Sequence, residues 1–359
     1  MLYPSMIPVQ THPTPHSITA AQAIHAAREW IAENKSTIPG YTGAYIGGST
    51  AQLRLEEAVG NGSDTDVYIV TTHCPPQKPG KLVYHGVLLE ISYIEWQDIF
   101  PVKKALCNYY LAYSLRCCRT IEDDTGALTR LQKEVADLFS RPEYLRARRN
   151  HALERVRSGL ENLRWDQPLP DIVLGWLFPM GITTHAVLTA AQKNPTIRLR
   201  YLRAKEVLVD YGMENEYERL LTFPGFSGIS STQAYHLLDQ LEPMYDLAAD
   251  VGRTHFVYSS DISPQSRFTA IDVSSQLIGQ GAHREIAFWI LATYARVMKI
   301  LLTDAPSEYQ RHLPYFEQAL STVHRLHPDC LRQAVTDTLD YLPQLTRLTD
   351  RLMKASLHF

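Results

Sequence analysis

Asp64 and Asp66, in the stretch "GSDTDVYIV", stand where a polar turn gives way to an apolar, β-branched run. In extended backbone, residues i and i+2 face the same way, so the two carboxylates project together from the start of a strand. Such a pair disfavours its own ionisation unless a cation intervenes. A hard divalent ion such as Mg²⁺ is bound through carboxylate oxygens and removes the repulsion. Glu90 supplies a third acid inside "VLLEISYI", an apolar run in which a carboxylate is costly to bury alone. If the two strands pair, three acids can hold two ions in the arrangement that polarises a phosphoryl group.

An anion cradle precedes the acids. Gly47, Gly48 and Ser49 follow the short apolar stretch "AYI". Glycines let backbone approach a ligand closely, and the first N–H groups of a following helix, expected over about 50–59, favour a negative charge. The Ser49 hydroxyl adds a donor. Strand, Gly-Gly-Ser, helix and then Asp-x-Asp on the next strand would set a phosphate site beside a metal site.

The elements that must position these groups alternate only at the start of the chain. A proline-rich arm covers 1–16, and a helix is expected over 17–34, capped by Ser17. "AYIGG" reads as a short buried strand and 65–72 as a second. The stretch 81–96 reads as one long strand or a pair bent at Gly86. From about 101 the apolar spacing becomes three to four residues, punctuated by prolines, which predicts about eight helices. The expected fold is therefore α+β, with a small mixed-sheet domain over 17–100 followed by an all-α helical bundle domain over 101–359.

Bulk properties narrow the functions. Of the 359 residues, 45% are hydrophobic and 20% charged, enough for a sizeable core. A net charge of −3 lacks the basic footprint of a phosphate-backbone binder, so no nucleic-acid partner is expected. Five cysteines form an odd count without a CxxC pair, which favours a reduced, cytoplasmic setting. No secretory signal is evident at the start, and no apolar run was found long enough for a membrane span.

Ile46-Gly47-Gly48-Ser49, Ser63-Asp64-Thr65-Asp66-Val67 and Leu89-Glu90-Ile91 resemble, in order and local context, the signature of the DNA polymerase beta-type nucleotidyltransferase superfamily. The helical second domain is similar in character to that of bacterial aminoglycoside adenylyltransferases. The resemblance implies an enzyme that moves a nucleoside monophosphate, most simply AMP from ATP, onto a hydroxyl of a small molecule such as an aminoglycoside, releasing pyrophosphate. It implies that Asp64 and Asp66 bind both Mg²⁺ ions, that Glu90 binds the catalytic one and serves as base, and that Gly47, Gly48 and Ser49 hold the triphosphate. Lys205 is the preferred second clamp on that triphosphate, with Arg198, Arg200 and Arg203 as alternatives. The acids and tyrosines of "VDYGMENEYERLL" suit a polycationic acceptor. Two other readings stand beside this one: transfer to a protein or RNA acceptor, and a catalytically silent nucleotide-binding regulatory protein. The fourteen residues between Ser49 and Asp64 support the last. Oligomeric state is not legible.

Overall fold

The structure is a computed structural model and describes residues 18–60 and 62–357, so the arm over 1–16 and the Ser17 cap lie outside it. The first helix is Ala20–Asn34, capped by Thr19. Thr19 accepts from the Gln22 N–H while the Gln22 side chain accepts from the Thr19 N–H, a reciprocal pair that starts the helix three residues later than expected.

Five strands follow: β1 Tyr41–Ile46, β2 Thr65–Thr71, β3 Gly80–Tyr84, β4 Val87–Glu95 and β5 Arg119–Glu122. They form one sheet in the order β3-β4-β2-β1-β5. Only β2 and β4 run parallel; the other pairs are antiparallel, so the sheet is mixed. The stretch 81–96 is a bent pair, because His85 and Gly86 both take positive φ and close a two-residue hairpin.

Alternation gives the sheet two apolar faces. Val67, Ile69, Leu89 and Ile91 pack with Ala44 and Ile46 against the first helix. Tyr45, Tyr68, Val70 and Ile94 face the other way, onto the helices Val102–Cys107, Leu111–Arg116 and Ala127–Leu138. Asp66 and Glu90 share that second face, one step beyond its apolar part. The acid in the middle of an apolar run is thus explained by a strand with one fully apolar side.

The sheet does not end near 100, as the sequence suggested. β5 completes its edge at 119–122, and Leu115, Leu128 and Val135 belong to its core. A boundary at 100 would separate these side chains from the tyrosines they bury.

The remainder is helical, with one continuous core of its own. From Val102 on, the described residues form thirteen helices rather than about eight, because several are only a turn or two long. Pro142, Pro306 and Pro328 open helices, as their missing N–H allows. Pro243, Pro314 and Pro343 were expected to interrupt, yet each lies inside a helix. Packing on neighbouring helices outweighs the lost backbone bond.

Leu169–Ala190 and His283–Asp304 are each long and apolar enough to cross a membrane, contrary to the reading of the sequence. Their most apolar windows are 67% and 83% buried inside the protein, so they are core helices of the bundle.

Candidate functional site

The parallel pairing of β2 with β4 sets Asp66 directly beside Glu90, and Asp64 lies just before β2. Carboxylate oxygens of Asp64, Asp66 and Glu90 all fall within 4.8 Å of one another. All three side chains are half-buried.

Their partners are unequal. The Lys81 ammonium lies 3.0 Å from Asp64 Oδ2, 3.9 Å from Glu90 Oε2 and 2.9 Å from Asp261 Oδ1. Lys78 Nζ donates to Glu90 Oε1 at 3.2 Å. Among the described residues no donor or cation reaches the Asp66 carboxylate. Burial, then the charges of Asp64 and Glu90, push Asp66 well above the ordinary carboxylate range. Burial and Asp64 raise Glu90 too, against the two lysines. Burial would also raise Asp64, but Lys81 holds it below its usual value. An orphaned acid between two charged neighbours, all with hard oxygen donors, fits a divalent cation.

Gly48 sits against this cluster. Its φ is +60°, and a Cβ there would lie 1.8 Å from Asp66 Oδ2. Gly47 is equally confined, since a Cβ would fall 2.7 Å from Ser114 Oγ and from the Tyr68 ring. The Gly47 N–H donates to the Asp66 backbone carbonyl at 2.9 Å, tying the glycine turn to the strand that carries Asp66. Ser49 Oγ lies 3.3 Å from Ser63 Oγ.

The helix expected over 50–59 is absent. Only a three-residue 3-10 turn, Thr50–Gln52, follows Ser49. Backbone groups beyond it are engaged elsewhere: the Leu55 and Glu57 carbonyls accept from Ala21 and Ala20 at the start of the first helix, and the Val59 N–H donates to Ile18. A helix-terminal anion site is therefore not available after Ser49.

A cavity of about 840 Å³ opens over the acids, walled on one side by the sheet and on the other by the helical region. Gly48, Ser49, Asp64, Asp66 and Glu90 line it. Lys205 does not: it bonds Glu285 Oε1 at 2.9 Å, an oxygen also held by the Tyr217 hydroxyl at 2.7 Å. The structure therefore does not bring Lys205 to the acids. Arg198 does line the cavity, and burial lowers its pKa while the Asp64 charge opposes the shift. Arg200 is fully buried beneath the wall, against Phe288. Arg203 lines the cavity but is held by Glu206 at 2.7 Å.

The sequence reading passed over Lys78, Lys81, Lys193, Asp261 and Arg296, all of which line the cavity. A signal for Lys81 existed. With His85-Gly86 as a two-residue turn, hairpin register sets Lys81 opposite Glu90. Asp261 and Arg296 come from distant segments and had none.

Compared with known proteins, the chain matches no family model and no curated sequence.

Proposed function

We propose that this protein is a Mg²⁺-dependent nucleotidyltransferase that moves a nucleoside monophosphate, most simply AMP from ATP, onto a hydroxyl of a small molecule. The observation carrying this reading is the convergence of Asp64, Asp66 and Glu90 within 4.8 Å beside Gly48. In it, Asp64 and Asp66 hold the ions and Glu90 completes the set. Bound Mg²⁺ supplies charge neutralisation at the phosphoryl group undergoing attack. The chain's own residues orient the substrates. Gly48 lets a phosphate approach without a side chain in the way, and the Ser49 hydroxyl and Arg198 offer donors on that side of the cavity. Glu90, beside Asp66 in the parallel pairing, is the carboxylate assigned to accept the proton of an attacking hydroxyl. The cavity is large enough for a nucleotide and a small acceptor together, and the chemistry suits a cytoplasmic enzyme with its five free cysteines.

The test is pyrophosphate release from labelled ATP with Mg²⁺ and an acceptor panel. The double substitution Asp64→Asn/Asp66→Asn is expected to lower release by about a thousand-fold or more, as loss of a metal worth several kcal/mol requires. Unchanged release would remove the site. One observation favours a second reading, a nucleotide-binding regulator without turnover. Lys81 already neutralises Asp64 and Glu90. Tight ATP binding with no pyrophosphate released under any condition would decide for it.

A further inference from the structure

The helical wall of the cavity carries information about the acceptor. Arg296, on the core helix His283–Asp304, lines the cavity although only 7% of it is exposed. Its guanidinium lies 5.0 Å from the Phe178 ring centre, 5.3 Å from Tyr258 and 5.0 Å from Trp289. Its one ion pair is Nη1 with Asp261 Oδ2 at 3.1 Å, and its buried Nε finds no acceptor among the described residues. Trp289 Nε1 is also buried without an acceptor. A planar fork with spare N–H groups in a poorly solvated wall is built to take a carboxylate or phosphate.

The same wall is unsuited to a polycation. The aromatic faces that would cradle an ammonium are already filled by Arg296. Asp261 is shared between Lys81 and Arg296, and Glu206 is held by Arg203. Of the acids expected to grip an aminoglycoside, Glu216 instead accepts from the Tyr341 hydroxyl and Glu218 pairs with Arg284. On the helical wall Asp210, from the same stretch, is the one lining carboxylate without a basic partner within 4.0 Å among the described residues. Lys193 and Arg198 line the cavity with no carboxylate of the described residues within 4.0 Å.

Arg198 and Arg296 are held by different groups. Arg198 hydrogen-bonds the Thr269 carbonyl, and the Thr269 hydroxyl in turn reaches Gly62 next to Ser63. Arg296 pairs with Asp261. A nucleotide held at Gly48 and Ser49 would leave Arg296 to the acceptor.

We propose that the acceptor is an anionic hydroxyl compound whose carboxylate or phosphate is held by Arg296, rather than a polycation. This rests on the nucleotidyltransferase reading for the word acceptor, but its test is a binding measurement that needs no turnover. Calorimetric titration of the full chain would use glucose 6-phosphate and 4-(hydroxymethyl)benzoate as anions, with glucose and 4-(hydroxymethyl)benzamide as their neutral counterparts. Kanamycin is the polycation. Each anion is expected to bind about ten-fold or more tightly than its counterpart, the scale of a charged hydrogen bond, and more tightly than kanamycin. The better anion reports whether phosphate or carboxylate is preferred. Arg296→Met is expected to abolish the preference and Arg296→Lys to retain part of it, with ATP affinity unchanged in both as evidence of an intact fold. Kanamycin binding best, no binding by either anion, or an anion preference that survives in a folded Arg296→Met overturns the proposal. Failure of the nucleotidyltransferase reading shows separately, as absence of ATP binding or of pyrophosphate release.

Discussion

On the sheet side of the cavity three carboxylates crowd within 4.8 Å, and one of them, Asp66, has no partner among the described residues. On the helical side a guanidinium lies among three aromatic rings, and two further cations, Lys193 and Arg198, lack ion pairs among the described residues. The two walls carry complementary charge across a gap instead of cancelling it by contact. Their charges meet where Lys81 reaches from β3 to Asp261 and Asp261 reaches on to Arg296. Opposed charge held apart by a cavity costs folding energy, since each wall is left partly uncompensated. It is the arrangement expected where cations and anions arrive from solution to fill the gap.

Removing the charged bridge between the walls should have the largest effect on stability. Lys81→Met leaves Asp64 without its cation in a poorly solvated place and Asp261 with Arg296 alone, at a cost of about 3–5 kcal/mol. If the acids are a cation site, a divalent ion takes over from the lost ammonium. Mn²⁺ is therefore expected to raise the melting temperature of Lys81→Met far more than that of the unaltered protein, by mass action on the folded state. Equal Mn²⁺ shifts in both proteins would mean that Lys81 is purely a structural tie and that the acids do not compete for ions.

Much of the sheet wall was legible beforehand, and little of the helical wall. Asp64, Asp66 and Glu90 declared themselves because each is out of keeping with an apolar strand, and strand alternation is a local property. The helix after Ser49 failed because Leu55, Glu57 and Val59 are recruited by the start of the first helix, a contact between segments some 35 residues apart in the chain. Lys205 failed for a different reason. In "RLRYLRAKEV" four basic side chains share one stretch, and helix Arg200–Asp210 buries Arg200, Tyr201 and Ala204. Only tertiary packing decides that Lys205 turns to Glu285 on another helix while Arg198, just outside the helix, meets the cavity. Arg296 sits in a helix whose neighbouring residues are apolar, and nothing in its spacing distinguishes it from a core position.

Gly48 tests the sheet wall from within. An alanine there must hold φ at +60°, about 1–2 kcal/mol against an ordinary residue. Its Cβ would also displace the Asp66 carboxylate. Gly48→Ala is expected to destabilise by about 1–3 kcal/mol in total and to weaken Mn²⁺ binding. In an Asp66→Ala background the contact is gone and only the backbone cost remains. A double-mutant cycle on denaturation midpoints should therefore show coupling between the two sites. Strict additivity would mean that the glycine serves the turn alone.

The smallest effect separates the walls by their response to acid. On the sheet side Asp66 and Glu90 are raised, so the folded state binds protons that the unfolded chain does not, and stability contributed there grows as pH falls through their folded values toward the ordinary carboxylate range. Asp64, held down by Lys81, runs the opposite way and loses its contribution only in stronger acid. On the helical side His185 is buried, and its Nε2 lies 2.9 Å from the Thr196 carbonyl, which fixes that nitrogen as the donor. Burial and the nearby Arg200 hold its pKa well below the ordinary value. Below about pH 6.5 the unfolded chain gains a proton that the folded one refuses, so stability falls by about 1.4 kcal/mol per pH unit. Gln at this position can donate to the same carbonyl without titrating. His185→Gln is therefore expected to match the unaltered protein in urea midpoint at pH 7.5 and to exceed it at pH 5.5. Once this histidine is removed, the raised acids of the sheet should make the remaining pH dependence flatter or reverse it. An equal loss in both proteins on acidification would place the acid sensitivity outside the helical wall and undo the contrast in charge on which the two sides are distinguished.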